Sequence, residues 1–205
     1  MSTTSPGATF RAAAATVADL VDRIPPPGWD GPGLGVWDLR ALVGHTARSL
    51  ITVTTYLAQR APAVEVPTSE AYYVAVHRAG GANTAAVTER GRAAGAALGD
   101  DPAAAFRRWL AEATAALDTT GDGEVVPTAA GGMRVGDYLP TRTFELAVHG
   151  ADIARATGLA VAFAPPVLAE AAELGARVAV ELGHGPALLA ALTGRAPLPP
   201  GLSVV

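Results

Sequence analysis

A mainly helical bundle with peripheral additions is the fold the sequence predicts, on three observations. Apolar residues recur at helical spacing through successive long segments. Asp, Pro and Gly stand where helices start and stop. Strand signals are confined to one short stretch before Gly136. The chain has 205 residues, of which 50% are hydrophobic and 17% charged, enough apolar material to bury a core and too little charge for a disordered chain. No internal repeat and no interdomain linker interrupts it, so residues 1–205 read as one helical domain.

Phe10, Val17, Leu20, Val21 and Ile24 define the first helix, and Pro25-Pro26-Pro27-Gly28 stops it. A Gly/Pro-rich loop runs to Gly35. The second helix opens at Asp38, an N-cap behind Trp37, and runs through Leu39, Leu42, Val43, Leu50 and Val53 toward Leu57. Ala61 to Thr68 reads as loop. Ser69 to Leu98 is a third, alanine-rich helical region with a break predicted near Gly80-Gly81. Asp100-Asp101-Pro102 restarts a helix that carries Phe106, Trp109, Leu110 and Leu117. Glu124–Pro127 and Met133–Val135, joined by a glycine-bearing turn, predict a small β-hairpin. Asp137 is expected to cap a helix that continues to Thr157 and closes at Gly158. Two shorter helices follow, Pro166–Leu182 and Pro186–Leu192, before a Pro-rich tail.

Composition excludes several kinds of chemistry. Fifteen basic against nineteen acidic residues give a net charge of −4, without the clustered basic face that nucleic acid requires. There is no Cys, hence no disulfide, thiolate ligand or protein-borne sulfur nucleophile. All fifteen cations are Arg, so a phosphate-binding lysine, a Schiff base and a lysine general base are excluded as well. No apolar run approaches the eighteen or so residues of a membrane span and no signal peptide is evident, so a cytoplasmic protein that avoids membranes is expected.

The informative segment is Tyr138-Leu-Pro-Thr-Arg142-Thr-Phe-Glu145-Leu-Ala-Val-His149-Gly-Ala-Asp152. At 100° per residue, Tyr138, Arg142, Glu145, His149 and Asp152 fall within about an 80° arc. Gly136, Thr143, Ala147, Gly150 and Ala154 occupy the opposite side, small residues suited to close helix contact. A narrow polar stripe between apolar or small surfaces is unusual for a surface helix. One reading is a solvated Arg142–Glu145–His149–Asp152 ladder held by pairing three and four residues apart. The other is a site. His45, mid-helix beside Leu42 and Val53, can be a hydrogen-bonded boundary residue. If it faces Glu145 and His149 across the bundle, the three make a His₂Glu set that zinc and similar ions accept, with one position left open. Asp152, one turn past His149, would then serve as an outer partner or a further ligand. His77, one turn after Tyr73, is a surface or pocket-lining residue, and His184 reads as interhelical loop.

Trp37-Asp-Leu-Arg-Ala-Leu42-Val-Gly-His45, followed by Glu145-Leu-Ala-Val-His149-Gly-Ala-Asp152-Ile-Ala-Arg-Ala-Thr-Gly158, resembles the mycothiol-dependent maleylpyruvate isomerase family, part of the wider DinB-like metal-binding bundles. The tail around Leu188 to Arg195 is similar too. Ala41 stands where relatives often have Asp, and Asp38 where they often have Ser or Thr. The resemblance implies a DinB-like four-helix bundle. It also implies a divalent metal, usually zinc, held by the positions matching His45, Glu145 and His149. Mycothiol, a low-molecular-weight thiol of actinobacteria, is implied as cosubstrate, activated by the metal; an alanine-rich, Arg-only chain suits a high-GC genome.

The implied chemistry is thiol transfer or cis–trans isomerisation of a small electrophilic, anionic substrate. Arg142 is the expected holder of an anionic part of substrate or thiol, ahead of Arg155 and Arg195. Family members often pair through helix faces, which brings a homodimer within the expectations. Two other readings stay open at this level: a non-catalytic, stress-associated metal-binding bundle, and a thiol-independent metal hydrolase using Asp152 or His77 as base.

Overall fold

The computed structural model describes residues 4–79 and 84–204. In chain order the elements are α1 (Pro6–Val21), α2 (Leu39–Leu57), α3 (Ser69–Arg78), α4 (Thr84–Ala96), α5 (Pro102–Asp118), β1 (Val125–Thr128), β2 (Gly131–Arg134), α6 (Val135–Thr157), α7 (Pro165–Glu181) and α8 (Gly185–Leu192). A single 3₁₀ turn at Pro26–Gly28 lies in the loop after α1. The fold is all-α with one small hairpin.

Local chemistry places the helix starts. Asp38 Oδ1 accepts from Ala41 N at 2.7 Å and Asp101 Oδ1 from Ala104 N at 3.0 Å, while Pro102 opens the first turn of α5. Gly158 ends α6 in the left-handed conformation at φ 71°, where a Cβ would be strained. Three boundaries differ from the sequence reading. The first helix stops at Val21, short of Ile24: the chain tightens into turns from Arg23 N to Leu20 O and Ile24 N to Val21 O, because the residue before a proline avoids the helical region. Asp137 does not cap α6. The helix already begins at Val135, whose N–H bonds Glu124 O at 2.9 Å, and Asp137 sits inside the first turn. The hairpin is shifted accordingly, pairing Val125 with Arg134 and Thr128 with Gly131. The break expected near Gly80-Gly81 lies outside the described residues, although α3 closes at Arg78 and α4 opens at Thr84.

Four helices make the bundle. α1 packs on α5 and α6, and α2 packs on the same two from the other side. Phe10, Val17 and Leu20 of α1, Leu42 and Leu50 of α2, Phe106 of α5 and Tyr138, Leu139, Leu146 and Ile153 of α6 are wholly buried between them. Close approach on the far side of α6 depends on Gly150, where a Cβ would fall 2.7 Å from Phe163 Cζ and 3.1 Å from Val17 Cγ2. α4 covers α2, while α3 and α7 cover α6; α8 rests on α7. The 61–66 loop straps the hairpin to the bundle through Ala61 N to Val125 O and Glu65 N to Gly132 O. Among the described residues no helix is long and apolar enough to cross a membrane.

Candidate metal centre

α2 and α6 cross with the polar stripe of α6 turned toward α2 and α3. The stripe is not a solvated ladder, since Tyr138 and Arg142 are buried and Glu145, His149 and Asp152 only partly exposed, although the expected pairing does link Glu145, His149 and Asp152. His45, two turns into α2, meets this stripe. Its ring lies 5.0 Å from that of His149 at an interplanar angle of 82°. Donor atoms of His45, Glu145 and His149 all lie within 4.8 Å of one another. Bonds of about 2.0–2.2 Å to a shared ion put two ligand atoms at most ~4.4 Å apart, so the set closes on a cation with small side-chain movement.

The partners of each group favour a cation ligand. Glu145 Oε1 accepts from the Tyr73 hydroxyl at 2.8 Å, while Oε2 lies 3.3 Å from His149 Nε2. His149 Nδ1 turns the other way, 3.2 Å from Asp152 Oδ2. A carboxylate on the far nitrogen fixes which ring nitrogen carries the proton and aims the other one at the centre. His45 Nδ1 is sealed from water and has no hydrogen-bond partner among the described residues. A buried nitrogen left so costs about 1–3 kcal/mol, and an imidazole with an unspent nitrogen suits a metal ligand.

The electrostatics agree. Burial, reinforced by His149 nearby, pushes the His45 pKa down to about 4, so it is neutral, the form that binds metals. Burial works against the charged forms of Glu145 and His149 too, but is outweighed. The His149 hydrogen bond and the Arg142 charge hold the Glu145 carboxyl well below its ordinary range, and Asp152 and Glu145 raise His149. Both shifts favour the charged forms, carboxylate and imidazolium. A divalent ion would take the place of the proton shared between them.

Other residues complete the wall. Trp37, just ahead of the α2 cap, stacks on His45 with ring centroids 4.6 Å apart. Its Nε1 donates to Thr88 O at 3.1 Å. Gly91 of α4 makes room for the indole, since a Cβ there would lie 2.5 Å from Trp37 Cε2. Neither Trp37 nor Tyr73 was singled out for the site from sequence. Trp37 was legible as part of the motif ending at His45, whereas Tyr73 carried no signal beyond its closeness to His77. His77 itself is exposed on α3. His184 lies at the α7–α8 junction, where its carbonyl accepts from Leu188 N. Arg155 is exposed in the last turn of α6, and Arg195 bonds Thr193 O past α8. Two shallow clefts of about 280 and 400 Å³ run along α3 and α7, sharing Glu70 and Glu181, and none of the three clustered side chains lines them.

A family model described as the mycothiol maleylpyruvate isomerase N-terminal domain matches residues 10–154, from the start of the α1 core to the turn after His149. The chain belongs to this family. The match takes in α2 to α5, the hairpin and nearly all of α6, and so includes His45, Glu145 and His149. No curated protein and no solved structure matches the chain. Membership of the mycothiol maleylpyruvate isomerase N-terminal domain family associates this bundle with mycothiol and with a metal-binding role.

Proposed function

We propose that this protein is a metal-dependent enzyme using mycothiol for thiol transfer or cis–trans isomerisation of a small, electrophilic, anionic substrate. Zinc is the proposed ion, with His45, Glu145 and His149 as its ligands. The observation that carries this reading is the convergence of those three donors from two helices, joined to the family membership and the lack of any cysteine. Three protein ligands leave a coordination position for an exogenous group. A bound divalent cation supplies a thiolate at neutral pH from a thiol whose free pKa is about 8.5.

The chain's own side chains have distinct parts in this reading. Tyr73 occupies Oε1 of Glu145 and leaves Oε2 to the centre. Asp152 is a positioning residue that keeps the His149 proton on Nδ1. Trp37 shields His45 from bulk water. Arg142, one turn before Glu145, offers its charge to an anionic part of substrate or thiol. Residues 1–205 act as one domain in this proposal, supported by the packing of α7 on α6 and α1 and of α8 on α7.

The test starts from elemental analysis of the purified protein. Metal-loaded protein is then mixed with mycothiol and a panel of electrophiles that includes maleylpyruvate, beside chelated wild type and His149→Ala. Conjugation or isomerisation only in the loaded wild type is the expected result. Turnover no greater than in the metal-free control overturns the enzyme reading.

A further inference from the structure

Arg142 is buried, with 8% of its surface exposed, yet among the described residues it has no carboxylate within ion-pairing distance. Its Nε donates to Thr141 Oγ1 at 3.0 Å. Its two terminal NH₂ groups have no hydrogen-bond partner among the described residues, and they are not among the sealed polar atoms, so they keep contact with water. Glu145 acts on Arg142 through space but makes no direct ion pair with it, because its two oxygens are turned to Tyr73 and His149. A buried guanidinium without a bonded anion is an expensive arrangement.

Tyrosines surround it. The guanidinium carbon lies 5.3 Å from the Tyr72 ring centroid and 5.2 Å from that of Tyr138. Tyr56 packs 5.5 Å from Tyr138, and Tyr73 packs 5.5 Å from Tyr72, so all four tyrosines of the chain gather here. The ring faces stabilise the cation but do not bond the N–H groups in its plane. Three of the hydroxyls are engaged: Tyr73 with Glu145 and Thr141, Tyr138 with Thr52 at 2.9 Å, and Tyr56 with the Ala129 backbone. The Tyr72 hydroxyl has no partner among the described residues. Arg48, half-buried on α2 one turn after His45, likewise has no ion pair or side-chain hydrogen bond there. Arg48 and Arg142 both act electrostatically on His45 and on Tyr56, and Arg48 stands on α2, the helix that packs against the α6 of Arg142.

We infer that Arg142, Arg48 and the Tyr72 hydroxyl form a carboxylate-binding pocket next to the His45–Glu145–His149 cluster. The Arg142 fork matches a planar carboxylate through two parallel N–H···O bonds, Tyr72 adds a neutral donor, and Arg48 supplies a second positive charge. The pocket rests on the proposed function for its purpose, recognition of an anionic substrate, and not for its binding, which needs no cation.

Calorimetric titration of the full chain, as purified and after chelation, with benzoate and with its neutral counterpart benzamide tests this. Benzoate binds in both preparations and benzamide does not. Arg142→Met weakens benzoate by about tenfold or more, and Arg48→Gln and Tyr72→Phe each by severalfold, as expected for lost charge-assisted bonds. The last two alter only polar tips and keep the assay decisive should Arg142→Met fold poorly. Absence of benzoate binding to chelated wild type, equal binding of benzamide, tighter binding of inorganic phosphate than of benzoate, or unchanged affinity in both Arg48→Gln and Tyr72→Phe overturns the pocket. Zinc content measured on the same samples reports separately on the metal centre: zinc without benzoate binding sinks the pocket alone.

Discussion

Arg107 and Arg142 carry the same charge in opposite settings. Arg107, on α5, reaches Asp19 Oδ1 at 2.6 Å and Asp22 Oδ2 at 2.5 Å on α1, with 42% of its side chain in water. Every donor it commits meets a carboxylate, and the hydrogen bonds to Asp22 and then Asp19 raise its pKa further. Arg142 is largely buried among tyrosine rings, with its terminal donors unspent and still in touch with water. The first arrangement ties two helices together at little gain, because water screens it. The second sits where screening is weak and each unmet group is costly. The charge of Arg107 is met by carboxylates, whereas that of Arg142 is left without a direct ion pair, the feature on which the inferred pocket rests.

That contrast can be broken by mutation, beginning with the cluster. Glu145→Gln or His149→Ala is expected to abolish stoichiometric metal with helicity retained, read by elemental analysis beside circular dichroism; full metal occupancy in either variant contradicts the ligand set. Asp152→Asn should weaken metal affinity about 10–100-fold without removing the site, measured by competition with a chelating dye. For Arg142→Met, unfolding free energy should change by no more than ~1 kcal/mol, since lost contact with two tyrosine faces is offset by relief from burying a charge. Denaturant melts measure that change, and a loss several times larger would make Arg142 a structural residue. Arg107→Ala should cost about 0–1 kcal/mol, and less in 1 M salt, where the Debye length is about 3 Å.

Much of this was legible in local sequence. The Asp38 and Asp101 caps and the Gly158 stop act within a turn of chain, so short-range chemistry suffices to place them. The polar stripe of α6 follows from helix geometry alone, and a His₂Glu set needs a second imidazole, which points to His45 as the partner of Glu145 and His149. The end of α1 has a local cause in the proline after Ile24, but the start of α6 has a nonlocal one. Asp137 looked like a cap, but the hairpin hands the chain directly into the helix at Val135, and the Val135–Glu124 bond decides where the helix starts. Tyr73 and Trp37 were passed over for the reason that their importance lies wholly in what they touch: a carboxylate 72 positions away and a histidine ring across the top of α2.

Periodicity, caps and composition by themselves determined an all-α chain with a hairpin, a polar stripe on its longest helix and no thiol or amine nucleophile of its own. Those properties depend on residues within a few positions of one another, or on simple presence and absence. Only the packing of α2 and α3 against α6 decided that His45 meets Glu145 and His149, that Tyr73 claims one carboxylate oxygen, and that Arg142 is enclosed by tyrosines without a bonded carboxylate. Desolvation creates those last properties, and it acts through neighbours that the chain brings together only when it folds.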